Sequence, residues 1–171
     1  MPLPREDDFD VRGLWEAMDA QRRSRGLTWR EVMQEMTVAG VEHPMSLSTV
    51  QNLRTQDSVS CQHVLPMLKW LGRAPESFVP GRAGGTERAL PAAGPDRLLR
   101  WDIQALAAAL NAERQQRGFT WQRVADELAC SVNQVTGLQR LRYGTAMRLA
   151  MRITRWLDRP AADFVISLKI R

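Results

Sequence analysis

The sequence predicts an all-α protein of two tandem helical domains joined by a proline- and glycine-rich linker. Three observations carry this. In residues 117–143 the apolar side chains Phe119, Val124, Ala125, Leu128, Val132, Val135 and Leu138 recur at spacings of three and four within two short runs, which puts one apolar stripe on each of two helices. The run Arg25-Gly26-Leu27-Thr28-Trp29 returns 92 residues later as Arg117-Gly118-Phe119-Thr120-Trp121, and Trp70-Leu71-Gly72-Arg73 returns 86 residues later as Trp156-Leu157-Asp158-Arg159. Two copies at so long a period are duplicated domains rather than a solenoid. Between them, residues 80–95 hold three prolines and four glycines among sixteen residues, with no periodic apolar face. The predicted organisation is therefore a first domain over 1–79, a flexible linker over 80–95 that could extend ~50 Å at ~3.3 Å per residue, and a second domain over 96–171.

Composition narrows the class. Of 171 residues, 44% are hydrophobic and 25% charged, as in ordinary soluble globular chains. No apolar run approaches the ~20 residues that span a bilayer, and the opening MPLPREDDFD has no signal-peptide h-region, so no membrane association is expected. Cys61 and Cys130 stand alone, which disfavours a zinc or redox motif and suits small side chains in a reducing cytoplasm. His43 and His63 are equally isolated, and read as loop and helix-surface residues. The net charge of +5 is unevenly spread: residues 1–79 carry nine Lys/Arg against eleven Asp/Glu, and residues 96–171 carry thirteen against seven. A basic second half beside a mildly acidic first half points to a polyanion partner for the second.

Each element has its own justification. Val11, Leu14, Trp15 and Met18 form the stripe of a first helix closed by Arg22, Arg23 and Gly26. Thr28 and Glu31 have the spacing of a capping box at the start of a second helix, whose inner face is Val32 and Met36. The stretch from Val38 to Met45 is longer than a tight turn needs. Ser46 or Ser48 caps a third helix with Val50 and Leu53 inward. A fourth helix near residues 60–71 carries Val64, Met67, Leu68 and Leu71, with Pro66 expected to kink it or shift its start. Pro75 opens a short last helix that returns Phe78 to the core. The second copy repeats the plan: a helix over 102–116 with Leu106 and Leu110 inward, and a helix capped by Thr120 whose capping box is lost to Arg123. A third helix follows over about 132–141, then a fourth with Leu149, Ile153, Trp156 and Leu157, then Phe164. Residues 165–170 alternate like a strand, which either pairs with the same tail of a second molecule or simply packs.

Two short helices sharing a core across a tight turn form a helix-turn-helix unit. The residues resemble the phage repressor and Cro type (XRE-type) helix-turn-helix family over roughly 10–79 and 102–165. The likeness rests on Gly-Leu/Phe-Thr-Trp before helix 2, Val-Ala…Glu-Leu within it, Ser-x-x-x-Val-x-x-Leu in helix 3, and the closing Trp-Leu-x-Arg and Phe. It implies two five-helix, lambda-repressor-like domains, to which the alternation of residues 165–170 would add a short C-terminal β-strand. Ala125 fits the small residue where helices 2 and 3 cross. Ala129 stands where a glycine usually turns the chain, so the turn is expected to avoid a left-handed conformation. The first copy departs further. Met33 replaces the small crossing residue, and about seven extra residues enlarge the turn, measured by the fall in offset from 92 to 85 at Leu53 and Leu138. Its helix pair is expected to splay unless the insertion loops away.

The resemblance implies double-stranded DNA as the partner, no cofactor or metal, and a role as a transcriptional regulator, in the sense of a repressor, of bacterial, phage or plasmid origin in the cytoplasm. Base edges would be read by Asn133, Gln134 and Gly137 in the second copy and by Leu47, Ser48, Thr49 and Asn52 in the first. Asn and Gln can bond an adenine edge in two places, Ser and Thr can donate or accept, and Leu can touch a thymine methyl. Phosphates would be met by Thr120, Trp121, Arg140, Arg142 and Thr145, with Thr28 and Trp29 in the first copy. Each assignment has a plainer counterpart: Trp29 and Trp121 as core or staple residues, Asn133 and Gln134 as helix caps. The stripe Arg148, Arg152, Arg155 and Arg159 is a solvated face more readily than a phosphate-binding one. An alternative reading makes the first domain an adaptor for protein contact or homodimerisation, with only the second domain, or neither, on DNA. Homodimers through the tail or the first domain fit either reading. An enzyme has little to stand on: there is no phosphate-cradling glycine loop, no ligand cluster and no nucleophile-base pair.

Overall fold

Asp10 starts the chain's regular structure by accepting a hydrogen bond from the Gly13 amide at 2.8 Å, which satisfies one orphan donor of the first helix. In the computed structural model, residues 4–37, 45–82, 87–140 and 145–170 are described. They are mostly helical, with α1 (Val11–Ser24), α2 (Trp29–Met36), α3 (Leu47–Asn52) and α4 (Cys61–Leu71) in the first half. Strand β1 (Arg97–Trp101), α5 (Ile103–Arg117), α6 (Trp121–Glu127), α7 (Val132–Thr136), α8 (Met147–Trp156) and β2 (Val165–Lys169) make the second. Short 3₁₀ turns at Pro75–Phe78, Leu138–Arg140 and Ala161–Phe164 complete the order. No helix among the described residues is long and apolar enough to cross a membrane.

The caps follow the sequence. Thr28 and Glu31 form the reciprocal capping box of α2, while α6 keeps only the Thr120 hydroxyl on the Arg123 amide. Ser46 caps α3. Helix α4 runs from Cys61 through Pro66 to Leu71, so the proline neither starts nor ends it.

The sequence repeat is also a repeat of contacts. Arg22 donates to Leu27 O and to Asp19, and Arg114 donates to Phe119 O and to Asn111. The Trp70 indole donates to Glu35 at 2.7 Å, and the Trp156 indole donates to Glu127 at 2.7 Å. Asp10 N–H meets Phe78 O and Asp102 N–H meets Phe164 O. Burial then joins the halves: one continuous cluster runs from Leu14, Met18 and Val64 through Trp101 to Leu110, Met147 and Phe164. Helix α4 packs on α8, and β1 packs on α4.

Several expectations are corrected. The tail strand does pair, but within the chain: β2 runs antiparallel to β1, with Leu98 opposite Leu168 and Trp101 opposite Val165. The Ser167 carbonyl and hydroxyl are both taken by the Arg97 guanidinium, at 2.8 and 2.7 Å, which blunts that strand for pairing with a second molecule. The described parts of 80–95 are not a free tether. Arg82 is buried and donates to Thr154 and to the carbonyls of Met151 and Arg159, and Arg88 pairs with Asp163 at 2.6 Å. Ala129 adopts φ +51°, so the turn takes the left-handed conformation rather than avoiding it. Its amide bonds Asp126 O and the Cys130 amide bonds Ala125 O, the hydrogen-bond pair that ends a helix on a left-handed residue. The third helix of the second copy is shorter than 132–141: α7 stops at Thr136 and tightens into the 3₁₀ turn.

Candidate nucleic-acid interface

Helix α7 is presented by a closed helix pair. Ala125 and Val124 on α6 are fully buried, as is Leu138, and Val135 is nearly so, so α6 and α7 meet over a small side chain that lets their backbones approach. Asn133, the second residue of α7, is exposed. Gln134 is half-buried, and its side-chain oxygen accepts from the Ser131 amide at 2.9 Å while its own amide donates to the Ser131 hydroxyl. It is therefore a capping residue whose amide nitrogen is left for other contacts. Gly137 serves the backbone: a Cβ there would lie 2.7 Å from Asn133 O, closer than real side chains come. Sequence reasoning assigned it to base reading, but what it supplies is the close turn into Leu138–Arg140.

In the first half, Leu47, Ser48 and Asn52 are exposed on α3 and Thr49 is half-buried. Ser48 and Thr49 share the Ser46 hydroxyl at 2.7 and 3.0 Å. Arg30, Met33, Gln34, Thr37, Met45 and Leu47 line a shallow groove of about 500 Å³ where α2 meets α3. Met33, which stands where the second copy has Ala125, is partly buried and lines this groove. The insertion itself, residues 38–44, lies outside the described residues.

The tryptophans that open α2 and α6 are half-buried under arginines. The Arg22 guanidinium lies 5.2 Å from the Trp29 ring centre, and Trp29 stacks on Trp15 at 6.1 Å. Arg114 lies 4.7 Å over Trp121. Both are packing residues first. Thr28 and Thr120 are exposed at the N-termini of α2 and α6 with their hydroxyls engaged in capping.

Of the cations assigned to phosphate, Arg140 is exposed beyond α7, whereas Arg142 lies outside the described residues. Thr145 is a correction: it is buried, and its carbonyl accepts from the Cys61 amide at 2.9 Å, so it belongs to the contact between halves. The arginine stripe of α8 and the residues just beyond it is drawn into ion pairs, with Arg148 and Arg152 withdrawn from solvent and Arg155 and Arg159 about half exposed. Arg152 holds Asp8 through two hydrogen bonds of 2.7 and 2.8 Å, Arg148 lies 3.3 Å from the same carboxylate, and Arg155 pairs with Asp7 at 2.6 Å. Arg159 pairs with Asp163. Asp7 and Asp8 of the first half's acidic lead-in thus meet part of the second half's excess charge.

Carboxylates beside the helix pairs are held ionised. Glu127 is pushed below the usual range by the Trp156 indole and then by Arg123, and Glu35 by Arg25 and then by the Trp70 indole. Burial raises the Cys61 thiol to about 12 and also raises Cys130, so neither is poised as a thiolate. Sequence reasoning missed Ser60, Gln62, Trp101 and Ala146, which join the halves. The match of Trp101 to Phe9, 92 residues earlier, was the available signal. Comparison of the chain with family models, with curated proteins and with solved structures gave no match.

Proposed function

We propose that this chain is a sequence-specific double-stranded-DNA-binding transcriptional regulator, acting as a repressor in a prokaryotic cytoplasm. Helix α7 enters the major groove and α3 does so beside it. The observation that supports this best is Asn133: it is exposed at the start of a short helix held by a well-closed helix pair, with Arg140 exposed one turn beyond. Asn133 suits an adenine edge and Arg140 a phosphate.

The test is selection of duplexes from a random pool by the full chain, followed by titration of the selected duplex over a salt series. Asn133→Ala should weaken the selected duplex about 5- to 100-fold and relax one base position, as the loss of ~1–3 kcal/mol of discrimination requires. Arg140→Ala should weaken all duplexes alike and flatten the salt slope by about one. A chain that enriches no sequence and binds no duplex at low salt overturns the proposal.

The second reading, a first half that contacts protein, is favoured by Leu47, 37% exposed at the mouth of the groove lined by Met33 and Met45. On that reading Asn52→Ala and Ser48→Ala would leave DNA affinity unchanged while Asn133→Ala would not.

A further inference from the structure

The contacts between the halves have a symmetry that the covalent order of the chain does not require. Ser60 and Ala146 face each other in an isolated antiparallel bridge, and they are 86 residues apart, the same offset that relates Trp70 to Trp156. Each is therefore the other's counterpart. The two hydrogen bonds flanking the bridge are counterparts as well: Cys61 N–H to Thr145 O at 2.9 Å, and Met147 N–H to Val59 O at 2.8 Å. Adding 86 to Cys61 and Val59 gives Met147 and Thr145, so exchanging the halves turns one bond into the other.

The same exchange holds further out. Helix α4 packs on its own counterpart, α8. Each half sends the segment before its first helix onto the fourth helix of the other. On α4, the Gln62 side chain accepts from the Trp101 N–H at 2.9 Å and donates to the Trp101 carbonyl at 3.2 Å. Asp8, beside Phe9, meets Arg148 and Arg152 of α8, and Arg148 is the counterpart of Gln62. Lys69 and its counterpart Arg155 both bond the opposite lead-in, at Gly94 O and Asp7. At the far end Glu76, fully buried, accepts from the Ala161 amide at 2.6 Å, joining the two equivalent 3₁₀ turns.

A contact that joins each surface to its own counterpart is isologous, the signature of a two-fold rather than of head-to-tail stacking. An approximate two-fold axis therefore passes between Ser60 and Ala146 and between α4 and α8, and it carries α3 onto α7. Position by position, Leu47 falls on Val132, Ser48 on Asn133, Thr49 on Gln134 and Asn52 on Gly137, at an offset of 85. The backbone relation is symmetric and the reading side chains are not.

We propose that one chain, alone, reads one duplex site made of two inverted half-sites of unlike sequence at a single fixed separation. This rests on the DNA-binding function proposed above, and specifies its ligand. A two-fold body docked on one face of a duplex meets the strands in opposite sense, so its half-sites are inverted. Unlike side chains on α3 and α7 make them unequal. A shared core and buried interface leave the separation no freedom, as a tether would.

The experiment varies the DNA and keeps the full chain intact. A duplex selected by the chain is compared with one in which a half-site is reversed in place, and with one in which about five base pairs, half a helical turn, are inserted between the half-sites. Stoichiometry is read by analytical ultracentrifugation of the complex. One chain per duplex, with affinity falling more than about tenfold for both altered duplexes, is the expected result. Affinity preserved within about twofold after reversal or insertion overturns the proposal while leaving DNA binding standing. Two chains per selected duplex, or a single half-site that suffices for full affinity, overturns it too. Failure to bind any duplex would instead strike the proposed function itself, and with it this inference.

Discussion

The Asp8 carboxylate grips the Arg152 guanidinium through two hydrogen bonds, of 2.7 and 2.8 Å, across 144 residues of chain. Both side chains are almost wholly withdrawn from solvent, at 7% and 5% exposed. The guanidinium also donates to Leu128 O and Ala129 O, so the lead-in of the first half, the end of α6 and helix α8 converge on one cation. Asp8→Ala leaves that cation without its counter-charge in a dry site. We expect a loss of about 3 kcal/mol, in the range for breaking one side of a buried pair, read from urea unfolding of the full chain. A loss below about 0.5 kcal/mol would mean that the pair is solvated.

A core continuous through Met18, Trp101 and Met147 makes the two halves one cooperative unit. Urea unfolding followed by tryptophan fluorescence and by far-ultraviolet circular dichroism should give a single coincident transition. Two separated transitions would show halves that fold independently. For the same reason an isolated fragment of either half would lose the face that covers α4 or α8, and its failure to bind DNA would carry little meaning.

Ala129, at φ +51°, holds a conformation that costs an L-residue ~1–2 kcal/mol. Glycine there removes the strain and adds unfolded-state entropy of roughly 0.5–1 kcal/mol. Ala129→Gly is therefore expected to be stabilising, by about 0.5–1 kcal/mol in thermal or urea unfolding. The left-handed residues just past α1 and α5, Gly26 and Gly118, already are glycine. A destabilised variant would contradict the assigned turn.

Acid should weaken the fold in two stages. Burial holds His63 below its ordinary 6.5, so the unfolded chain takes up the proton first and stability falls as pH drops through that value. Glu31, held down by the Thr28 amide, and Glu35 and Glu127, held down by their arginine and indole partners, act from 4.5 downward. For all four the folded value is lower than the unfolded one. Their contribution is complete above the unfolded value and lost as pH falls through the folded one. Melting temperature against pH should be flat near pH 8 and descend below 6.5, then again below 4.5. Replacing His63 by Gln should remove the first descent only.

Much of this was legible in the residues. The 92-residue offset forecast paired contacts, Thr28 and Ser46 forecast their caps, and Ala125 forecast a closed α6–α7 pair. What escaped has a common cause. Periodicity identifies a face but not what covers it, so Arg148, Arg152 and Arg155 were legible as a stripe while Asp7 and Asp8, far away in sequence, were legible only as a charged lead-in. Residues 97–101 show no period-two pattern, and a strand is specified by its partner, here β2, which lies almost seventy residues on. Ala129 shows the reverse case, where tertiary contacts through Arg152 support a conformation that local propensity disfavours.

The most direct test of DNA reading is binding of the selected duplex by the full chain and by Asn133→Ala, measured by fluorescence anisotropy between 50 and 200 mM salt. Asn133 is exposed, so the variant should fold as the parent does. The expected result is a salt-dependent affinity for the parent and a 5- to 100-fold loss for the variant, confined to duplexes with the selected base at one position. Equal affinity of parent and variant for every duplex at every salt concentration would contradict it.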